Sequence, residues 1–285
     1  MDSLGYQLRL RLILPELFKD VKQRAMIILL KIDKHYNYRM EIKQIITSLK
    51  QQDIKYAFYF KRRGQDAVLE SNYERFSSAS IIKLPLLLTW VQLERQGAVN
   101  RAELCDLDAE PQVRGAGFAY QMLARRLPYR DVLLMMIALS DNLCTNLVIR
   151  RIGLERVQQV FRSVLGMQGT ELQRKLMDYK ARDQGLDNWV SAADAVRLFD
   201  LFDGLAPEEK AWVEPMLLVN TDDLLLKRNV PRDQLDFYHK TGSIQGVFHD
   251  WGYTRDCKIF LFTNQVKDVR PIYDIFGMAG ELLIE

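Results

Sequence analysis

The spacing of apolar residues along this chain changes character several times, and each change marks an element. Ile42, Ile45, Ile46 and Leu49 recur at helical intervals between Glu41 and Gln52, which predicts a helix with one apolar face. Ile54 to Phe60 is short and aromatic-rich, and after the Arg63-Gly64 pair a second run covers Asp66 to Glu70; together they predict a hairpin. Residues 80–95 are apolar almost all round, from Ile81 and Ile82 through Trp90 to Leu93, the pattern of a helix buried on every side. Pro85 lacks an N–H and should perturb its first turns. From 118 to 218 the pattern is mainly helical, with segments near 118–125, 129–138, 142–151, 154–165, 191–203 and 207–218. Strand character returns at Leu235 to Thr241, Gly246 to Thr254 and Lys258 to Thr263. A last amphipathic helix is predicted near 271–284. Residues 1–39 hold two apolar runs, Leu8 to Leu17 and Ala25 to Ile32, with no turn chemistry tying them to the helix at Glu41.

A helix, two strands, a long helical insertion, three strands and a helix predict an α+β fold. Its antiparallel five-stranded sheet would draw strands from both ends of the chain, flanked by helices and facing an all-helical lobe. The expected division is an amino-terminal extension, 1–39, and one domain, 40–285. Within that domain the α/β lobe takes 40–79 and 220–285, and the helical lobe takes 80–219. A cleft between the lobes is the natural place for a binding site.

Composition narrows the function classes. With 285 residues, 48% hydrophobic and 27% charged, the chain has an ordinary globular make-up. Disorder, collagen and a multi-span channel are excluded. Cys105, Cys144 and Cys257 are odd in number and far apart, so three reduced thiols are expected. His35, His239 and His249 lack metal-ligand spacing, and Gly115-Ala-Gly117 lacks the strand and spacing of a nucleotide loop. No metal or other cofactor is expected. No signal-peptide pattern precedes the domain, which points to the cytoplasm, and no membrane span is foreseen. The net charge of +3 conceals a basic start, since residues 1–64 carry 14 Lys/Arg against 6 Asp/Glu. Scattered as they are, these charges suit a solvated surface better than a nucleic-acid site, although a tether to nucleic acid or lipid stays open.

Three short motifs carry chemistry. Ser80-Ile-Ile-Lys83 places a hydroxyl and an ammonium on one helix face; such a pattern arises roughly once by chance in a chain this long. Its position at the start of a buried helix gives it weight, because orphan N–H groups there can hold an oxyanion. A simple helix cap at Ser80 is the alternative. Ser140-Asp141-Asn142, between two helical segments, also has the composition of a cap. Lys240-Thr241-Gly242, at a strand end, could be no more than a turn. Each tripeptide is expected by chance only about 0.05 times, so the ordered set is hard to ascribe to accident.

The ordered set resembles the class A β-lactamases and the penicillin-binding transpeptidases. Phe76 to Pro85 is similar to that group's nucleophile helix and Leu139 to Asn146 to its second motif, while Lys240 to Ser243 with His249-Asp250 is similar to its closing hairpin. The resemblance covers about residues 40–285 and implies a β-lactamase/transpeptidase-like fold. It makes Ser80 the acylated nucleophile, Lys83 its proton acceptor or electrostatic support, and Ser140 the relay to the leaving nitrogen. Asn142 would bind the substrate amide, and Lys240 and Thr241 the substrate carboxylate. His249, on the strand after the third motif, could orient that carboxylate or be a hydrogen-bonded structural histidine. The N–H groups of Ser80 and Ser243 would form the oxyanion hole. The sequence departs from class A in one respect. Pairing Arg174 with the arginine before the deacylating glutamate leaves Leu176 in the glutamate's place; Asp178 is the best substitute base, with Glu171 and Asp183 the other nearby carboxylates. The implied function is a serine hydrolase acting on β-lactams or related amides and esters, with slow deacylation. The alternative is a penicillin-binding or sensor-like module that is acylated and does not turn over. Oligomeric state and natural substrate are not legible.

Overall fold

The computed structural model describes residues 38–231 and 234–284. The apolar runs predicted at Leu8–Leu17 and Ala25–Ile32 lie outside the described residues. The chain divides into two units, Met1–Thr47 and Ser48–Glu285. Residues 38–50 are helical (α1), and Tyr38, Ile42, Ile45 and Leu49 are its buried positions, the spacing of one apolar face.

In the larger unit the strands β1 (Lys55–Arg62), β2 (Val68–Ser71), β7 (Tyr238–Ile244), β8 (Val247–Tyr253) and β9 (Cys257–Asn264) form an antiparallel sheet in the order β2-β1-β9-β8-β7. The first hairpin turns at Gly64, whose φ of +76° carries no steric penalty for glycine. β1 pairs with β9 from Lys55↔Asn264 to Arg62↔Cys257, joining the two ends of the domain. One sheet face meets the final helix α9 (Arg270–Glu281) through contacts such as Phe248 edge-on to Tyr273. The other face presents Tyr59, Trp251 and Phe260 to α7 (Ala192–Asp203), where Phe199 stacks on Trp251 at 4.5 Å. The Trp251 indole N–H is satisfied by Ala195 O at 2.8 Å.

The same core continues into the helices α2 (Lys83–Arg95), α3 (Tyr129–Ala138), α4 (Asn142–Ile152), α5 (Leu154–Ser163) and α8 (Pro207–Leu218). A five-residue helix α6 (Tyr179–Asp183) lies in the loop before α7. As its all-round apolar pattern predicts, α2 is buried along nearly its whole length. It opens through a tight 3-10 turn at Ala79–Ile82. Pro85 cannot donate to Ile81 O, and the Lys83 N–H bonds Ser80 and Ile81 carbonyls instead, so the first turn tightens.

Two short ladders have no counterpart in the predicted elements: β3 (Arg75–Ser77) with β6 (Trp189–Ser191), and β4 (Leu104–Asp106) with β5 (Arg126–Pro128). The helix expected at 118–125 reduces to a 3-10 turn, Ala119–Gln121. There the Arg125 guanidinium bonds Ala119 O and Met122 O, supplying from a side chain what helical N–H groups would have supplied. Cys105, Cys144 and Cys257 are free thiols. Among the described residues no helix is long and apolar enough to cross a membrane.

Candidate active site

Three segments bring the chemistry together. The 3-10 turn before α2 carries Ser80, with Lys83 one turn on. The α3–α4 junction carries Ser140 and Asn142. Edge strand β7 carries Lys240 and Thr241 and lies directly against the Ser80 turn. Gly242 makes that approach possible: a Cβ there would stand 2.9 Å from Ser80 N and 3.0 Å from Ile81 N. Any side chain would push the strand off the turn.

Lys83 is the hub. Its ammonium nitrogen lies 3.0 Å from Ser80 Oγ, 3.0 Å from Ser140 Oγ, 2.6 Å from Ser140 O and 3.1 Å from Asn142 Oδ1. The side chain is closed to solvent, and burial, reinforced by the Lys240 ammonium, holds its pKa well below the ordinary lysine range. Asp141 opposes that shift. A lysine so depressed can accept a proton from a hydroxyl 3.0 Å away.

The Ser140-Asp141-Asn142 run divides its work among its members. Asp141 caps α4, accepting from Cys144 N at 2.9 Å and from Ala119 N at 2.8 Å. Ser140 has φ +54°, a left-handed conformation uncommon for a side-chain-bearing residue. With that backbone both its hydroxyl and its carbonyl bond Lys83. Asn142 gives Oδ1 to Lys83 and one Nδ2 hydrogen to Arg114 O at 3.1 Å. So Ser140 is not the cap that its composition also allowed.

Lys240 is fully buried and bonds Thr241 O at 2.8 Å; burial lowers its pKa to about 8, against the pull of Asp222 and Asp250. Ser243 is exposed next along β7. Of the two places open to His249, facing substrate or bonded within the fold, the structure shows the second. His249 has no solvent exposure, and burial lowers its pKa to about 4. Its Nε2 lies 2.8 Å from Ser77 O, and its Nδ1 lies 2.8 Å from Phe248 O and 3.2 Å from Thr263 N. The ring thus braces β3, three residues before the nucleophile, against β9. Sequence reasoning also missed the buried pair His239 Nδ1 and Asp250 Oδ1, 3.1 Å apart, although His239 directly precedes the third motif; Asp250 lies opposite Thr241 on β8.

The loop of residues 171–188 is tied down by its own polar groups. Asn146 clamps the Leu176 main chain on both sides, accepting from Leu176 N at 2.8 Å and donating to Leu176 O at 3.0 Å. Arg174 pairs with Asp187 at 2.7 Å, and Asp187 accepts from Ser77 Oγ at 3.1 Å. Glu171 is held by Arg75 and Arg162. Asp178 is exposed and caps α6 through Ala181 N at 3.1 Å, and Asp183 is exposed at the end of that helix. Among the described residues, no three or more His, Cys, Asp or Glu side chains group to hold a metal.

A family model described as the β-lactamase enzyme family matches residues 37–279. This chain belongs to the β-lactamase enzyme family. Solved structures agree on its fold. The β-lactamase from Sphaerobacter thermophilus DSM 20745 superposes with TM-score 0.75 at 23% identity, over 85% of this chain and 95% of that one. PBP-A gives 0.73 at 21% identity, over 85% and 93%. A β-lactamase from Xanthomonas campestris pv. campestris str. ATCC 33913 gives 0.75 at 18%, over 87% and 98%. No curated protein sequence matches the chain. Every motif residue but His249 lies on the three segments described above, and the Lys83 nitrogen joins Ser80, Ser140 and Asn142 among them.

Proposed function

We propose that this β-lactamase family member works as a class A-type serine acyl-transfer enzyme, acylated at Ser80 by β-lactams or related amides and esters. The observation that carries the reading is the Lys83 nitrogen bonded at once to Ser80 Oγ, Ser140 Oγ and Asn142 Oδ1. In this reading neutral Lys83 takes the Ser80 proton as Oγ attacks the carbonyl carbon. The developing oxyanion is held by the N–H groups of Ser80 and Ser243. Ser140 passes a proton to the leaving nitrogen as the amide C–N bond breaks. Lys240, while charged, holds the substrate carboxylate together with Thr241, and Asn142 holds the substrate amide.

Deacylation is proposed to be slow. It needs a base aimed at a water on the ester carbonyl. Leu176 cannot accept a proton, and Glu171, Asp178 and Asp187 are committed to arginines or to a helix cap. A leucine-to-glutamate variant of PBP-A has been solved as an acyl-enzyme complex with penicillin G, so a protein of this fold can carry the covalent adduct. The test is intact-mass measurement during incubation with benzylpenicillin. One lasting adduct, mapped to Ser80 and absent from Ser80→Ala, is expected. An adduct elsewhere, or none with either benzylpenicillin or 6-aminopenicillanic acid, overturns the reading; rapid steady-state hydrolysis without a burst overturns slow deacylation alone.

A further inference from the structure

Two loop segments meet beside Asn142. The first holds Gly115, at φ +104°; the second holds Met177, directly after the clamped Leu176, at φ +65°. A left-handed backbone is disfavoured for methionine, and it persists here with the side chain laid against the opposite loop. A Cβ built on Gly115 would stand 2.8 Å from Met177 Cε, 3.1 Å from Met177 Sδ and 3.2 Å from Asn142 Nδ2. A methyl group there would have to displace the Met177 side chain, and the Asn142 amide borders the same point. The Tyr179 hydroxyl, 3.8 Å from Met177 Sδ, flanks the thioether on its own loop.

The hydrogen bonds of Asn142 decide what this means for a ligand. Oδ1 is taken by Lys83, and one Nδ2 hydrogen by Arg114 O. The remaining Nδ2 hydrogen is what the side chain has left to donate. A substrate carbonyl accepting it is thereby held next to the Met177 thioether, and any group attached to that carbonyl must pass the place where Met177 and Gly115 already touch. Methionine is flexible and can be displaced, but only at the expense of this contact.

We infer that Met177 is a steric gate on the substituent side of the substrate amide, selecting acyl donors whose amide substituent is small or absent over those with a bulky aryl group. This rests on Ser80 acylation as proposed above. The experiment compares second-order acylation rates of 6-aminopenicillanic acid, which has no acyl substituent, and benzylpenicillin, which has a bulky one, by time-resolved intact mass. The rates are taken for the parent protein, Met177→Ala and Met177→Gly, the last of which also suits the positive φ. The ratio of benzylpenicillin to 6-aminopenicillanic acid should rise about tenfold or more in both variants, the scale on which pockets discriminate by a few carbon atoms. If both compounds acylate all three proteins and the ratio stays level or falls, the gate is refuted while the acylation reading stands. If neither compound acylates the parent protein, the functional reading fails and the gate with it.

Discussion

In the proposed reaction Lys83 and Lys240 have opposite requirements, and pH separates them. There Lys83 serves as a base only when neutral. Its lowered pKa favours that form, so acylation should slow as pH falls through that pKa and the amine takes up a proton. Lys240 attracts a carboxylate only when charged, so binding should weaken as pH rises through about 8. The apparent second-order acylation rate against pH should therefore be a bell whose alkaline limb sits at about 8, and in Lys240→Arg, which keeps its charge, that limb should move upward. Lys83→Met, similar in bulk and without a base, should slow acylation by about 100-fold or more in single-turnover measurements. Leu176→Glu should act on the other half-reaction: a carboxylate at that position is expected to hasten loss of the Ser80 adduct by about 100-fold or more, read as decay of adduct mass after free penicillin is removed. Unchanged decay would mean that the clamped loop does not aim residue 176 at the ester. At this scale the grouping of Ser80, Lys83, Ser140 and Asn142 was legible because short motifs carry them. His249 was the residue that sequence left ambiguous: its motif neighbours suggested a ligand, whereas its bonds to Ser77 O and Thr263 N depend on tertiary contacts that no local pattern encodes.

Elements with strong periodicity emerged close to their predicted positions, and those built from tertiary hydrogen bonds did not. The helices α3, α4, α7 and α8 and the strands β8 and β9 fall within a few residues of the apolar patterns that announced them. β3 and β6 are three residues each, too short to show a period, and exist because Arg75–Ser77 pairs with the distant Trp189–Ser191. The 118–125 stretch has a helical composition, yet Arg125 binds the carbonyls that helix formation would have used. The loop before α7 is the clearest case: its sequence shows charged residues without order, and its order comes from Asn146, Arg174 and Asp187. Removing the two bonds that Asn146 makes to Leu176 leaves main-chain groups without partners. Asn146→Ala should lower unfolding free energy by about 1–3 kcal/mol in urea titrations. Hydrogen exchange should quicken at Leu176 and its neighbours, while that of the β1–β9 pair stays unchanged until global unfolding.

For the molecule as a whole, the division of labour between an extension and a domain is a proposal with a direct test. We propose that residues 1–39 are dispensable for the fold and for Ser80 acylation. A chain beginning at Met40 should stay soluble and keep its thermal midpoint, although it loses Tyr38, which is buried. A fall of several degrees would show that the extension covers part of the core. The sheet has a different kind of consequence, one that concerns time. β9 lies between β1 and β8, so the first strand made is flanked on its inner side by the last, and the edge strand that supplies Lys240 and abuts Ser80 is also made late. On the ribosome, a nascent chain can display Ser80, Lys83, Ser140 and Asn142 long before β7 exists to abut Ser80 and complete the proposed oxyanion hole. Stalled chains ending before Tyr238 should take up no fluorescent penicillin, whereas chains with Asn264 clear of the exit tunnel should be labelled. Reactivity would then switch on only near the end of translation, leaving the half-built nucleophile mute toward acyl donors in the meantime.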